Sequence, residues 1–390
     1  MPRFVSWRRP HHAVGVDLGH SGVKAVVLSA DGGELTLLGA GLEPVPPGAL
    51  WDGAVRDADA VGAALGRLLT RLRVRCRLLA LAIGGSSVLV KRFSLPPDVV
   101  APGTAPGDVR EAVAREAARH IPFHLESLEF DYEGPSSSAP QAEPGEPEGS
   151  GPRAVVFGAA PREIVLEHCR AAARAGREVT RVELEPYALH AAVGLARRLE
   201  GADREPGALA IVEIGASRSG VHVFGNVPWD GPAGGAPGRA AAPPVPADVP
   251  GDLLASVPAP GAGLLAADGP PAGVASRVEP ARSGSGRATG SPGSRAMGAE
   301  VFEDRIGAVA REAFREAGLR PGIRMLLSGG GARSPAVGAG LQNFAAGDPV
   351  VLDPLAGLGP PDYGPAYAVA AGLAYQAIVD RAGPETGLRS

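Results

Sequence analysis

The sequence is poor in aromatic residues and in cysteine. Phe, Trp and Tyr make up 4% of the 390 residues, and the 2 cysteines, Cys76 and Cys169, lack metal-ligand spacing. This composition excludes a disulfide scaffold and a cysteine-ligated metal site, and it favours a reducing compartment. The formal net charge of −4 also excludes the strongly basic field that attracts nucleic acid.

No apolar run is long enough to span a bilayer. The nearest, residues 78–90, is interrupted by two glycines and two serines at 84–87. The first twelve residues contain arginines but no apolar core of a secretory signal. We therefore expect a soluble, cytoplasmic protein.

Several common catalytic motifs are missing as well. The sequence contains no Walker A motif, no His-Glu-x-x-His and no Gly-x-Ser-x-Gly. These absences argue against a P-loop nucleotidase, a zinc protease of that type and an α/β-hydrolase.

Residues 13–28, AVGVDLGHSGVKAVVL, form the first informative stretch: an apolar strand, an acid, a glycine-rich turn and a second strand. Glycine allows a tight turn whose backbone N–H groups point at an anion. Asp17 could hold a hydrated Mg²⁺, and Lys24 could reach a β-phosphate. Alone, the pattern favours an ordinary hairpin with a glycine turn.

A second copy follows at residues 210–224, AIVEIGASRSGVHVF, in which Glu213 aligns with Asp17 and Gly215 with Gly19. Such internal duplication indicates two halves of like fold. A third element, residues 325–337, is a strand that leads into a triple glycine and a helix. Glycines at such a place allow the backbone to approach a base or ribose closely.

In this order, the three elements resemble the phosphate-one, phosphate-two and adenosine motifs of the actin-like ATPase superfamily. Four further stretches, at 46–53, 115–123, 182–189 and 365–373, resemble the PilM family of type IV pilus assembly proteins. The resemblance covers most of 13–227 and 300–379. The Ile-Pro-Phe sequence at 121–123 is its most specific piece.

The resemblance implies an α/β protein with a duplicated actin-like (ribonuclease H-like) fold and a small inserted α+β subdomain. It also implies ATP as ligand, with Mg²⁺ held through water by Asp17 and Glu213. Glu185, at the start of a helix, would position the attacking water, and Asp17 would assist catalysis; a glutamate there is equally often a partner of the helix dipole. The nucleotide-binding residues implied are Asp17, Gly19, His20, Ser21, Lys24, Glu213, Gly215, Ala216, Ser217, Gly329, Gly330 and Gly331.

Three features depart from the family pattern. Glu213 stands where the family usually has Asp, and His20 stands at a turn position where Ser or Thr is usual. From 230 to 299 the chain has no Ile, Phe, Tyr, Trp or Lys, so it cannot bury enough apolar surface to fold by itself. We expect the second upper subdomain to be reduced or replaced by a disordered linker, and ATP hydrolysis to be weak or absent.

The predicted organisation has seven parts. They are a disordered tail (1–12), the first actin-like half (13–95), the inserted subdomain with a disordered loop at 135–152 (96–181), the connecting helix and start of the second half (182–227), the disordered linker (228–298), the remainder of the second half (299–380) and a tail (381–390). Within the linker, 252–257 is expected to form at most a brief helix or a transient contact.

By resemblance, the function is that of a scaffold. It would bind the N-terminal cytoplasmic peptide of a PilN-like inner-membrane protein and connect it to the pilus assembly ATPase complex. Nucleic acid is not expected as a partner. The alternatives are a GspL-like component of type II secretion and an actin-superfamily sugar kinase. A sugar kinase would need a base aspartate, and residues 78–95 contain none. An FtsA-like tether would need an amphipathic C-terminal helix, which residues 381–390 do not offer.

Overall fold

The computed structural model describes residues 11–31, 34–86, 88–96, 99, 104–133, 153–200, 208–225, 252–260, 299–359 and 364–382. The first ten residues, the loop at 135–152 and most of the linker at 228–298 lie outside this set. In the described residues, no helix combines the length and apolarity that crossing a membrane requires.

The first half is a five-stranded sheet with the order β3-β2-β1-β6-β10. Its first three strands are antiparallel, whereas β6 and β10 are parallel to β1. A short hairpin of β4 (Leu50–Trp51) and β5 (Ala54–Val55) leads into helix α1 (Ala58–Arg71), which packs on the sheet. The strands are β1 (His11–Gly19), β2 (Gly22–Asp31), β3 (Glu34–Glu43), β6 (Leu78–Ile83) and β10 (Glu178–Leu184).

The inserted subdomain is a three-stranded antiparallel sheet, β7-β9-β8, with one helix on its apolar face. Phe93, Val113 and Phe157 form the centre of its core. Helix α3 (Arg162–Arg174) follows the last strand and packs on α1 of the first half. The elements are β7 (Leu89–Leu95), α2 (Pro106–Ala117), β8 (Leu128–Glu133) and β9 (Arg153–Pro161).

The subdomain boundaries differ from the predicted 96–181. Strand β7, assigned from sequence to the first half, pairs with β9 and so belongs to the insertion. Strand β10, assigned to the insertion, pairs with β6 and completes the first sheet. Sequence patterns locate strands, but which sheet a strand joins depends on pairing between distant segments.

The second half repeats the first. Its sheet has the order β13-β12-β11-β14-β15, with the same antiparallel and parallel relationships. Helices α5 (Ala299–Ala317) and α6 (Pro335–Leu341) pack on one face around Phe302 and Phe344. The duplicated fold predicted from the two glycine turns is confirmed. The strands are β11 (Leu209–Ile214), β12 (Arg218–Gly225), β13 (Asp252–Pro260), β14 (Arg324–Ser328) and β15 (Val350–Val351).

The prediction that 252–257 forms at most a brief helix or a transient contact is wrong. Residues Asp252–Pro260 form β13, which pairs with β12 along its whole length. Because β13 is the outer strand of the sheet, Pro258 and Pro260 are tolerated there. The backbone of β12 provides hydrogen-bond partners for β13, and this pairing cannot be inferred from the composition of the segment.

Two helices join the halves. Helix α4 (Glu185–Glu200) packs against α7 (Ala368–Ala382), and both lie between the two sheets. A Cβ on Gly15 of β1 would collide with the carbonyl oxygen of Ala370 in α7. This close approach holds α7 directly on the central strand of the first sheet.

Candidate functional site

The first glycine turn joins β1 to β2. Gly19 pairs with Gly22, so His20 and Ser21 form a two-residue connection. Gly22 has a φ of +148°, and a Cβ there would lie 2.5 Å from the carbonyl oxygen of Glu43. The turn therefore requires glycine for steric reasons.

Asp17 and Lys24 face each other across this hairpin. The Nζ atom of Lys24 donates a hydrogen bond to Oδ2 of Asp17 over 2.8 Å, and the two side chains are only 13% and 14% exposed. Burial lowers the pKa of Lys24, but the attraction of Asp17, Glu213 and Glu185 outweighs burial and raises it above its ordinary value. Lys24 is therefore a permanent positive charge beside the first turn.

The second glycine turn joins β11 to β12. Its residues Gly215, Ala216 and Ser217 are closed by a hydrogen bond from the N–H of Gly215 to the carbonyl of Arg218, at 2.9 Å. Glu213, at the end of β11, is buried, and its Oε2 atom has no hydrogen-bond partner among the described residues. The acid predicted to help bind a metal is thus present with one unsatisfied oxygen.

Glu185 begins α4 and lies next to the second turn. Its Oε2 atom accepts a hydrogen bond from Nη2 of Arg218 over 2.5 Å. The side chains are 6% and 16% exposed. A Cβ on Gly84, directly after β6, would collide with this Glu185 oxygen, so the backbone of the first half closes over the ion pair.

The two hairpins and α4 bring five ionisable side chains into one electrostatic cluster: Asp17, Lys24, Glu185, Glu213 and Arg218. Burial and the negative charge of Glu185 raise the pKa of Glu213 to about 8. Burial acts to lower the pKa of Arg218, but Glu185 and Glu213 raise it above its ordinary value. With Glu213 protonated at neutral pH, the charges of the cluster balance.

The triple glycine follows β14 and packs on the second turn. Gly329 has a φ of +88°, and its N–H donates to the carbonyl of Pro365 over 3.0 Å. The N–H of Gly331 donates to the carbonyl of Ile214, also at 3.0 Å. These bonds place Gly329, Gly330 and Gly331 beside Gly215. Their role as an adenosine motif stays a prediction.

A tryptophan lies beside the first turn. The ring of Trp51, in β4, meets the ring of His20 edge-on at a centroid distance of 5.7 Å, and it is 51% exposed. The guanidinium of Arg56 lies 5.5 Å from the centre of the same ring. His20, at the position where the family usually has Ser or Thr, therefore packs against an aromatic side chain.

The structure thus places the predicted site residues at the ends of β1, β10, β11 and β14, with Lys24 opposite Asp17 on β2. Sequence reasoning missed Arg218 and Gly84. A signal for Arg218 existed: when the two copies are aligned, this arginine stands where the first copy has Gly22. Gly84 gave no such signal, because its importance comes from two side chains that are distant in sequence.

These groups suit a phosphate better than a divalent metal. The cluster contains two cations, Lys24 and Arg218, and it lies beside two glycine turns; cations and turn N–H groups are the donors that phosphate requires. The carboxylates of Asp17 and Glu185 are each paired with an internal cation. Among the described residues, no three His, Cys, Asp or Glu side chains converge on a metal position. The described residues therefore offer Mg²⁺ no set of direct ligands, and the water-mediated site at Asp17 and Glu213 stays a prediction.

Comparison with known families gives a match to the family described as type IV pilus assembly protein PilM, over residues 15–227, which is more than half of the chain. The match includes the first half, the inserted subdomain and the second glycine turn.

Among solved structures, the chain is similar to a chain of the structure described as the PilM-PilN type IV pilus biogenesis complex. The TM-score is 0.58 at 20% identity, and the match covers 94% of this chain and 98% of the other. This similarity establishes the fold. The cytoplasmic domain of EpsL, an inner-membrane component of the type II secretion system of Vibrio cholerae, matches with a TM-score of 0.34 at 15% identity over 54% and 67% of the two chains. The ethanolamine utilization protein EutJ from Carboxydothermus hydrogenoformans matches with a TM-score of 0.40 at 15% identity, over 94% of this chain and 90% of the other.

Proposed function

Because the chain belongs to the PilM family of type IV pilus assembly proteins, we propose that it is a nucleotide-binding scaffold in the cytoplasm at the inner membrane. It binds the N-terminal cytoplasmic peptide of a PilN-like inner-membrane protein and connects it to the pilus assembly ATPase complex. The single observation that carries this proposal is the family match, which spans both the nucleotide turns and the inserted subdomain. It favours pilus assembly over a type II secretion component or a sugar kinase.

Nucleotide binding is supported by the geometry of the two turns. Each turn offers backbone N–H groups beside a buried cation, Lys24 in the first and Arg218 in the second. The triple glycine adjoins the second turn, and its lack of side chains allows a base or ribose to approach the backbone closely. The proposed ligand is ATP, bound by the predicted residues of β1, β11 and β14.

Scaffolding rather than turnover is supported by the pairing of Glu185. A residue that positions an attacking water needs a free carboxylate oxygen within hydrogen-bond reach of that water. Here Arg218 holds Oε2 of Glu185, and the side chain is only 6% exposed, so an attacking water has little access to the carboxylate. We therefore propose that hydrolysis is weak or absent.

The peptide-binding surface is proposed at the junction of the inserted subdomain with the first half. Leu166 of α3 is 54% exposed, and it lies one helical turn after Arg162, which pairs with Glu129 of β8 at 2.8 Å. Among the described strands, β8 pairs with β9 alone, so its other edge is open. An extended peptide can add to such an edge while an apolar side chain contacts Leu166.

Peptide binding is measured between the full chain and a labelled synthetic peptide that carries the N-terminal cytoplasmic segment of the PilN-like protein. Leu166→Glu is expected to weaken binding at least about tenfold, since a charge would enter an apolar contact. Leu38→Glu is the matched control, because Leu38 is 49% exposed but lies on β3, at the outer edge of the first sheet. Equal loss in both variants, or no binding by the unaltered chain, contradicts the proposed surface.

Nucleotide binding is tested by calorimetric titration of the full chain with ATP. The double variant Asp17→Asn with Lys24→Gln removes the buried charge pair without leaving one partner alone, and it is expected to abolish saturable binding. Arg67→Gln, at an exposed arginine, is the control. Phosphate release is measured in the same samples, and rapid turnover would contradict the scaffold. Absence of ATP binding in the unaltered chain would remove the nucleotide from the proposal.

A further inference from the structure

Arg218 places a fixed positive charge at the second glycine turn. It begins β12, and its Nη2 atom donates to Oε2 of Glu185 over 2.5 Å. Side chains of both residues are largely buried, at 16% and 6% exposure. Because the backbone at Gly84 closes over the pair, the guanidinium cannot move far without opening the contact between the two halves.

The first turn has its own fixed cation. Lys24 lies 2.8 Å from Asp17 and is 13% exposed. Each hairpin therefore contributes one positive charge, and each of these charges already neutralises one carboxylate of the cluster. Among the described residues, Glu213 has a fully buried oxygen, Oε2, without a hydrogen-bond partner.

This arrangement disfavours a divalent cation on physical grounds. Magnesium requires a near-octahedral shell of oxygen ligands, held directly or through water by carboxylates. The carboxylates of Asp17 and Glu185 are engaged by internal cations, and Lys24 and Arg218 would repel a second positive ion at short range. The same two cations attract phosphate, for which the planar guanidinium is a well-matched donor.

We propose that Arg218 is the built-in counter-ion of this cleft, so that the paired turns bind the phosphates of a nucleotide without a divalent metal. The proposal rests on the nucleotide-binding function proposed above and specifies its metal requirement. Arg218 takes over the charge that the metal would supply, and Glu185 holds its guanidinium in position.

The decisive experiment needs no variant. The dissociation constant of ATP for the full chain is measured by calorimetry in a buffer with excess EDTA and in the same buffer with MgCl2. The two constants are expected to agree within about threefold, a difference of at most about 0.65 kcal/mol. A dissociation constant at least about tenfold lower with MgCl2 overturns the built-in counter-ion but leaves nucleotide binding intact. Absence of ATP binding in both buffers overturns both proposals.

Variants then assign the effect to Arg218. In EDTA, Arg218→Gln is expected to weaken ATP binding at least about tenfold, because a charge-assisted contact is lost. Arg218→Lys should retain binding without metal, and Arg315→Gln, at an exposed arginine paired with Glu312, is the matched control. Since Arg218→Gln leaves Glu185 buried and unpaired, the double variant with Glu185→Gln repeats the measurement without that penalty. Unchanged affinity of both glutamine variants in EDTA contradicts the role of Arg218.

Discussion

Gly372 of α7 lies directly against the carbonyl oxygen of Ala188 in α4. A Cβ on Gly372 would collide with that oxygen and would lie 2.9 Å from the backbone nitrogen of Ala192. The two helices therefore meet backbone to backbone, which only glycine permits at this position. Since α4 begins with Glu185 and α7 packs on β1, this contact helps to fix the acid relative to the first glycine turn.

Gly372→Ala is expected to lower the free energy of unfolding by about 1–3 kcal/mol, because the added methyl group forces α4 and α7 apart. Urea denaturation followed by circular dichroism measures the change. Gly338→Ala in α6 is the matched control: a Cβ there meets nothing within 4 Å, so the substitution should be neutral or slightly stabilising. Equal midpoints for the two variants would mean that the helices can separate at little cost.

Glu213→Gln is expected to change how stability depends on pH. The folded-state pKa of about 8 exceeds the ordinary value of 4.5, so the folded protein retains a proton that the unfolded chain releases. The contribution of Glu213 to the stability of the chain without nucleotide should therefore fall as pH rises from 4.5 to 8, by an amount on the order of a few kcal/mol. The glutamine variant should lack this contribution and become the more stable form at the upper end of the range.

Thermal unfolding midpoints across this pH range provide the measurement. Glu126→Gln, at an exposed glutamate in the turn before β8, is the control and should follow the unaltered chain. Parallel pH curves for Glu213→Gln and the unaltered chain would show that Glu213 is ionised in the folded protein at neutral pH.

His222 of β12 should destabilise the fold in acid. Its Nδ1 atom lies 2.9 Å from the hydroxyl of Ser256, and burial, followed by the charge of Arg218, lowers its pKa from 6.5 to about 3. The folded protein therefore excludes a proton that the unfolded chain accepts, and stability is lost as pH falls from 6.5 toward 3. His222→Gln should flatten this part of the curve, even if the variant is less stable at pH 7.

His124→Gln, at an exposed histidine, serves as the control for this measurement. Both variants are unfolded by urea at a series of pH values in the acid range. If His222→Gln loses stability in acid as steeply as the control, another group is responsible for acid unfolding.

Trp51 should report nucleotide binding. Its ring is 5.7 Å from that of His20 in the first glycine turn and is 51% exposed, so an anion at the turn changes its surroundings. ATP is expected to change the tryptophan emission of the full chain with a midpoint equal to the calorimetric dissociation constant. Trp51→Phe should remove most of the change without altering the affinity, since the ring of Trp51 lies beside the first turn. A full signal in this variant would assign the response elsewhere.

The sequence alone determined those features that depend on local pattern. Apolar strands around Gly19 and Gly215 predicted two hairpins, and the alignment of Glu213 with Asp17 predicted the duplicated fold. Both predictions are confirmed, because strand period and glycine turns are dictated by neighbouring residues. The same reasoning identified the PilM family, to which the matched region belongs.

Tertiary structure decided what depends on pairing between distant segments. Strand β13 forms from a segment rich in Ala and Pro because β12 presents an open edge, and β7 and β10 exchange sheets relative to the predicted boundaries. Arg218 meets Glu185 only because β12 and the start of α4 converge under Gly84. A sequence pattern records which residues are charged, but which charges neutralise each other is fixed by how the two halves pack, and here that packing sets the chemistry of the cleft.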